Sequence, residues 1–233
     1  MVLISHKYKF IYIKTKKTGS TTTENFFTRF CLDNEEDYTD KHSHDYYEGK
    51  NGIVGQRILG KIGKYNVNTK LKDINLNNYK DYFIFTTIRN TYDRMISLFY
   101  FLIKLEISQI APAIWFESKF QELIVNNKKN LDNIKLFRLF IKKFINKIEG
   151  CWEEYIINNK PSCDYYIKQE SLENDINIVC NKLNINYDKY KLVSFKREYR
   201  KDKKNIKKYY DKETKDLVYQ KFKKEIDYWN YDI

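Results

Sequence analysis

KFIYIKTKKTGSTTTENFF, residues 9–27, reads as a strand, a loop of Lys, Thr, Ser and Gly, and the start of a helix. Residues 9–13 are a short apolar, β-prone run. Thr21-x-x-Glu24 fits a capping box, with Thr21 as the N-cap of a helix that runs to about residue 30. YFIFTTIRNTYDRMISLFYFLIK, residues 82–104, repeats the pattern. Its 82–88 run is apolar nearly throughout, as in a buried parallel sheet. Asn90 or Thr91 caps the following helix, where Tyr92, Met95, Ile96, Phe99, Leu102 and Ile103 recur at helical spacing. Arg89 stands at the junction and Ser97 lies eight residues on. Hydroxyls, backbone N–H groups and cations just past two strands suit a phosphate-like anion.

The rest of the chain continues the alternation. DYYIK (164–168) reads as a strand, a helix follows from about Leu172 to Leu183, and an amphipathic helix closes the chain from Asp211 to Tyr228. Residues 33–80 are polar and contain Gly49, Gly52, Gly55, Gly60 and Gly63, which predicts loops and short elements. Residues 115–158 are mostly helical by pattern, and MVLISHKYKFIYI reads as the first strand. Strands alternating with helices predict an α/β fold with a mainly parallel central sheet flanked by helices. A length of 233 residues predicts one domain, 1–233, with a helical elaboration around 105–163.

Composition narrows the setting. Cys31, Cys151, Cys163 and Cys180 have no metal-ligand spacing, so free thiols in a reducing, cytoplasmic setting are expected. His6, Lys7 and Lys9 interrupt the opening apolar stretch, which predicts a soluble chain without a membrane span; an anchor outside this sequence stays open. The net charge is +12, yet only two alanines occur while Lys, Asn, Ile and Tyr abound. That skew points to lysine filling solvated positions rather than to a specific nucleic-acid partner. Residues 196–224 nevertheless hold thirteen Lys/Arg against five Asp/Glu. Two readings stand there: a solvated helical face, or a surface that draws in an acidic substrate.

The first loop is no Walker A motif. GxxxxGK[ST] is absent, Ser20 follows Gly19, and the lysines precede the glycine.

Taken together, the two segments resemble the sulfotransferase superfamily, in particular its carbohydrate-sulfotransferase branch. KTKKTGSTT is similar to the family's 5′-phosphosulfate loop, and IRNTYDRMIS to its 3′-phosphate motif. DYYIKQESLENDI (164–176) is similar to its strand-Glu-x-Leu-helix element, and residues 209–231 to its closing helix. The resemblance implies a P-loop-like three-layer fold and the donor 3′-phosphoadenosine 5′-phosphosulfate (PAPS). The product would be the 3′,5′-bisphosphate PAP, no metal would be needed, and the acceptor would be a hydroxyl, on a glycan by analogy. It puts Lys17 in the place of the catalytic lysine. Lys16, Thr18, Gly19, Ser20, Thr21 and Thr22 complete the phosphosulfate loop, and Arg89 and Ser97 take the places that bind the 3′-phosphate. The chain departs from the pattern at Thr15 and Thr91, where the family often has proline, and 105–163 matches no known element.

Such chemistry needs positioning and charge stabilisation more than covalent work by the protein. It also needs a base for the acceptor proton. The candidates are His44 and His42, in the polar segment between the motifs, and Glu24 behind the loop. Two other readings remain: a nucleotide or small-molecule kinase with a degenerate phosphate loop, and a non-catalytic basic polyanion-binding protein of the same fold.

Overall fold

The computed structural model describes residues 1–39, 45–57, 63–108, 120, 122–123, 126–127, 131–190, 192–193 and 205–233. The opening stretch forms two strands, not the single one expected: β1 (Val2–Ser5) and β2 (Phe10–Ile13) pair antiparallel. The reversal is made at Lys9, whose φ of 54° is left-handed. No Gly-type turn residue announces it in sequence. Helix α1 (Ser20–Thr28) follows, then the short strands β3 (Tyr47–Gly49) and β4 (Gly52–Val54) and the long strand β5 (Phe83–Ile88). After β5 come α2 (Thr91–Ser108), α3 (Asn133–Phe144) and the hairpin of β6 (Ile156–Ile157) and β7 (Lys160–Pro161). Strand β8 (Tyr165–Lys168), α4 (Leu172–Lys182) and α5 (Lys212–Trp229) complete the chain.

Six strands form one sheet in the order β3-β4-β1-β2-β5-β8. β2, β5 and β8 run parallel, while β1, β3 and β4 add antiparallel neighbours at the other edge. The parallel half carries the two motifs. Its strands are apolar on both sides because both faces are covered. Phe10, Tyr12, Phe85 and Ile167 pack with Phe26, Phe27 and Val179 on one face. Ile11 and Ile13 pack with Val2, Ile4, Ile53 and Leu71 on the other. The period-2 alternation along FIYI thus splits one strand between two cores.

The described contacts divide the chain into two compact units, Met1–Arg89 with Cys151–Phe195 and Asn90–Gly150 with Lys196–Ile233. The first holds the sheet, α1 and α4. The second is helical, with Phe99, Phe137, Phe140, Val218 and Phe222 in its core. Asn90 caps α2, its side-chain oxygen accepting from the Tyr92 N–H at 3.0 Å, as the sequence predicts.

The helical pattern of 115–158 holds over Asn133–Lys147 but ends before the β6–β7 hairpin. There Asn158 and Asn159 are both left-handed, as a two-residue hairpin turn requires. Among the described residues no helix is long and apolar enough to cross a membrane.

Candidate functional site

β2 and β5 lie side by side and parallel, with Ile13 opposite Thr86, so Lys14 and Arg89 leave the sheet at the same end. Between β2 and α1 the backbone turns left-handed twice, at Lys17 (φ 66°) and at Gly19 (φ 82°). Gly19 is the N-cap of α1. A Cβ there would stand 3.3 Å from Gln169 Cγ and 3.4 Å from Leu172 Cδ2, so the loop packs against the chain leaving β8. The left-handed region is unfavourable for lysine and persists where surrounding contacts over-determine it. Here the Lys17 carbonyl accepts from Arg89 Nη1 at 3.2 Å, and the Lys16 carbonyl accepts from Cys151 Sγ at 3.3 Å.

A buried hydroxyl network sets the loop's inner side. Thr15 Oγ1 donates to the Thr87 carbonyl and lies 2.7 Å from Thr18 Oγ1, which is 2.8 Å from Thr87 Oγ1. Ser20 Oγ donates back to the Thr15 carbonyl, and the Tyr12 hydroxyl to the Ser20 carbonyl. The Thr18 and Ser20 hydroxyls are therefore spent on the scaffold, and both residues are buried. What this turn offers an anion is backbone: the N–H groups of Ser20 and Thr21 at the start of α1, since those of Thr22 and Thr23 donate to the Gly19 carbonyl (3.0 and 3.3 Å). Lys16 is exposed, while Lys17, Thr21 and Arg89 are half-buried.

Glu24 does not serve the capping box expected of it. The helix begins at Ser20, two residues earlier than Thr21 capping requires, with Gly19 at the N-cap and no side chain capping it. The Glu24 carboxylate, 0% exposed, instead holds two cations. Arg57 grips it from Nε (3.2 Å) and Nη2 (2.7 Å), and Lys14 Nζ binds the same Oε2.

Unit one thus brings together the loop 16–22, Arg89 and Glu24. Ser97 lies half-buried on α2, in the other unit. His42 and His44 lie outside the described residues, as do residues 196–204 of the basic run. His6 is at the far end of the sheet, its Nδ1 2.9 Å from the Tyr82 hydroxyl. Arg94 of the second motif is committed inside unit two: it pairs with Glu225 (3.6 Å), donates to the Glu149 carbonyl and covers the Phe222 ring.

Sequence reasoning passed over Arg57, Cys151 and Thr87. Arg57 lies 33 residues from the carboxylate it holds and Cys151 lies 135 from its acceptor, so no local spacing could reveal either.

A family model described as Sulfotransferase family matches residues 1–232 of the chain. Neither a curated protein nor a solved structure matches it.

Proposed function

We propose, from the premise that this chain belongs to the sulfotransferase family and so transfers sulfuryl groups, that its donor is PAPS and its acceptor a carbohydrate hydroxyl. The observation that carries the donor assignment is the Arg89–Lys17 bond. It ties a guanidinium suited to the 3′-phosphate to the backbone of the loop suited to the 5′-phosphosulfate.

In this reading the acceptor oxygen forms a bond to sulfur as the bridging S–O bond breaks, and the electron pair leaves on the 5′-phosphate of PAP. The Lys17 ammonium offsets that charge, and the N-terminus of α1 adds backbone N–H groups and the favourable end of its dipole. Lys16 flanks Lys17 and supplies long-range attraction. Arg89 holds the 3′-phosphate, and the family resemblance adds the Ser97 hydroxyl as its partner. For the acceptor proton we favour His42 or His44 over Glu24. Glu24 is sealed between Lys14 and Arg57, and a proton on its carboxyl would break both pairs. No step calls for a metal.

The test is a thermal-shift comparison of PAP, AMP, ATP and ATP with Mg²⁺, because a ligand of the native state raises the midpoint. PAP should stabilise the protein most, and without Mg²⁺. A preference for ATP with Mg²⁺ would instead favour a kinase. A response to polyanions alone, steeply lost with salt, would mark a non-catalytic binder.

A further inference from the structure

The end of the sheet opposite the phosphate loop carries a groove of its own. β2 and β5 run parallel with Phe10 opposite Phe83, so their first residues meet at that end. β5 is six residues long, which puts Phe83 about 20 Å from Arg89. An open groove of about 690 Å³ lies there, and a second of about 420 Å³ continues from it, the two sharing Phe83, Asp164 and Lys182. Every lining residue belongs to unit one.

Lys7, Lys9, Lys80 and Lys182 bring four ammonium groups to the lining, against the carboxylates of Asp81 and Asp164. Two of the four are already held, Lys7 by Glu35 at 2.6 Å and Lys9 by Asp81 at 3.5 Å. Lys80 and Lys182 are exposed, and their ammonium groups form no ion pair or hydrogen bond with any described residue. Asp164 Oδ2 accepts from the Ile84 N–H at 2.7 Å, which fixes the carboxylate and leaves Oδ1 to accept from a ligand. Asn184 adds a carboxamide just past α4, and Phe83, Tyr165, Ile178 and Leu183 supply apolar surface.

This lining separates ligand classes. A nucleic acid needs free ring faces for its bases and a run of cations for its phosphates. Here Lys7 lies over the Tyr8 ring (5.0 Å) and Lys9 over the Tyr82 ring (4.9 Å), and two carboxylates interrupt the cations. A saccharide with scattered acidic groups asks for the mixture present. Its acidic groups need cations, its hydroxyls need fixed acceptors, and its C–H faces need apolar surface. An open groove suits an extended chain better than an enclosed small molecule.

We propose that this groove is a second binding site, for an acidic saccharide chain, with Lys80 and Lys182 meeting its sulfate or carboxylate groups and Asp164 and Asn184 accepting from its hydroxyls. The proposal rests on the reading of a carbohydrate acceptor, and it makes that acceptor a polymer held at a point remote from the reacting hydroxyl.

The probe is a heparin octasaccharide, titrated calorimetrically at fixed ionic strength, with maltooctaose as the uncharged control and oligouridylate as the nucleic acid. Wild type should bind the heparin octasaccharide more tightly than either. Lys80→Gln with Lys182→Gln should weaken that binding about tenfold, while Lys72→Gln with Lys160→Gln, two exposed lysines of unit one outside the groove, should change it by less than about twofold. Lys80→Arg with Lys182→Arg keeps both charges and should retain the affinity. Equal losses in the two glutamine pairs would reduce the effect to net charge and overturn the site, as would a wild type that does not bind the octasaccharide. Tighter binding of oligouridylate, lost with Lys80 and Lys182, would give the groove to nucleic acid instead. PAP titrated into the same proteins tests the donor reading separately, and its affinity should be the same in all of them. A protein that binds the octasaccharide through Lys80 and Lys182 but binds no PAP would keep the groove and lose the donor assignment.

Discussion

Arg89 Nη1 donates to the Lys17 carbonyl across 3.2 Å, although 72 residues separate the two in sequence. The bond makes each motif a condition of the other. The guanidinium fixes the strained turn at Lys17, and the turn holds the guanidinium at the end of β5. Arg89→Ala should therefore act twice on ligands, by removing a charged contact and by loosening the loop. The direct loss is roughly 1.5–3 kcal/mol of PAP binding, about tenfold to a hundredfold or more. AMP, lacking the 3′-phosphate, should lose only the loop's share. Calorimetric titration of both ligands decides the matter: equal losses would remove the 3′-phosphate role.

The left-handed backbone at Lys17 allows charge and conformation to be separated. Lys17→Ala keeps the unfavourable φ and removes the ammonium. Lys17→Gly removes the ammonium and also relieves the strain. Both should lose turnover by about a hundredfold or more, as when an oxyanion-stabilising donor is lost. The glycine variant should unfold at the higher denaturant concentration of the two. Retained turnover in either, together with its loss in Lys16→Ala, would shift the catalytic position by one residue.

Much of this was legible because it is local. The apolar run 82–88, the Asn90 cap and the strand and helix of 164–183 each carry their signal within a few residues, and each forms within a residue or two of where it reads. The first motif was legible in kind but not in register. Thr21 and Glu24 make a good local capping box, yet tertiary partners won: Gly19 supplies the cap, and Lys14 with Arg57 claims the carboxylate. The β1–β2 reversal was hidden for a related reason, since a lysine takes the left-handed position. Partners drawn from distant segments leave no periodicity to read.

Gly19 gives the loop conformation a direct test. Its φ of 82° suits glycine, and alanine there should cost about 1–2 kcal/mol from the backbone alone. The added Cβ meets the flexible Gln169 side chain at 3.3 Å, which can give way. Urea denaturation of Gly19→Ala measures the cost. An unchanged midpoint would mean that the turn is not left-handed in solution.

Acid should loosen unit one through Glu35. Burial pushes this carboxyl up, but hydrogen bonds from Lys7, Tyr190 and Tyr8 outweigh it and hold it at about 2. A carboxyl lowered in the fold binds protons more tightly when unfolded. Its contribution is thus complete above the ordinary value of 4.5 and is lost as pH falls from there toward about 2. Denaturation midpoints taken between pH 6 and 3 should decline, and Glu35→Gln should flatten part of that decline. Parallel declines in both proteins would clear Glu35 of any role.

The pair Arg94–Glu225 makes the last prediction, since it separates a phosphate ligand from a packing element. Both side chains are 2% exposed and stand 3.6 Å apart, with the guanidinium 4.9 Å above the Phe222 ring. At Phe222 the backbone of α5 departs from helical values. Removing one partner of a buried pair strands the other charge, so Glu225→Leu should cost about 3–5 kcal/mol. Replacing both, Arg94→Met with Glu225→Leu, removes the stranded charge and should recover most of that loss, as apolar substitutes for buried pairs often do. PAP affinity in the folded double variant should match wild type, because the guanidinium is buried beside Glu225 and donates to the Glu149 carbonyl. A tenfold loss of PAP affinity there, with stability restored, would make Arg94 a ligand of the 3′-phosphate and give the second motif two arginines at work rather than one.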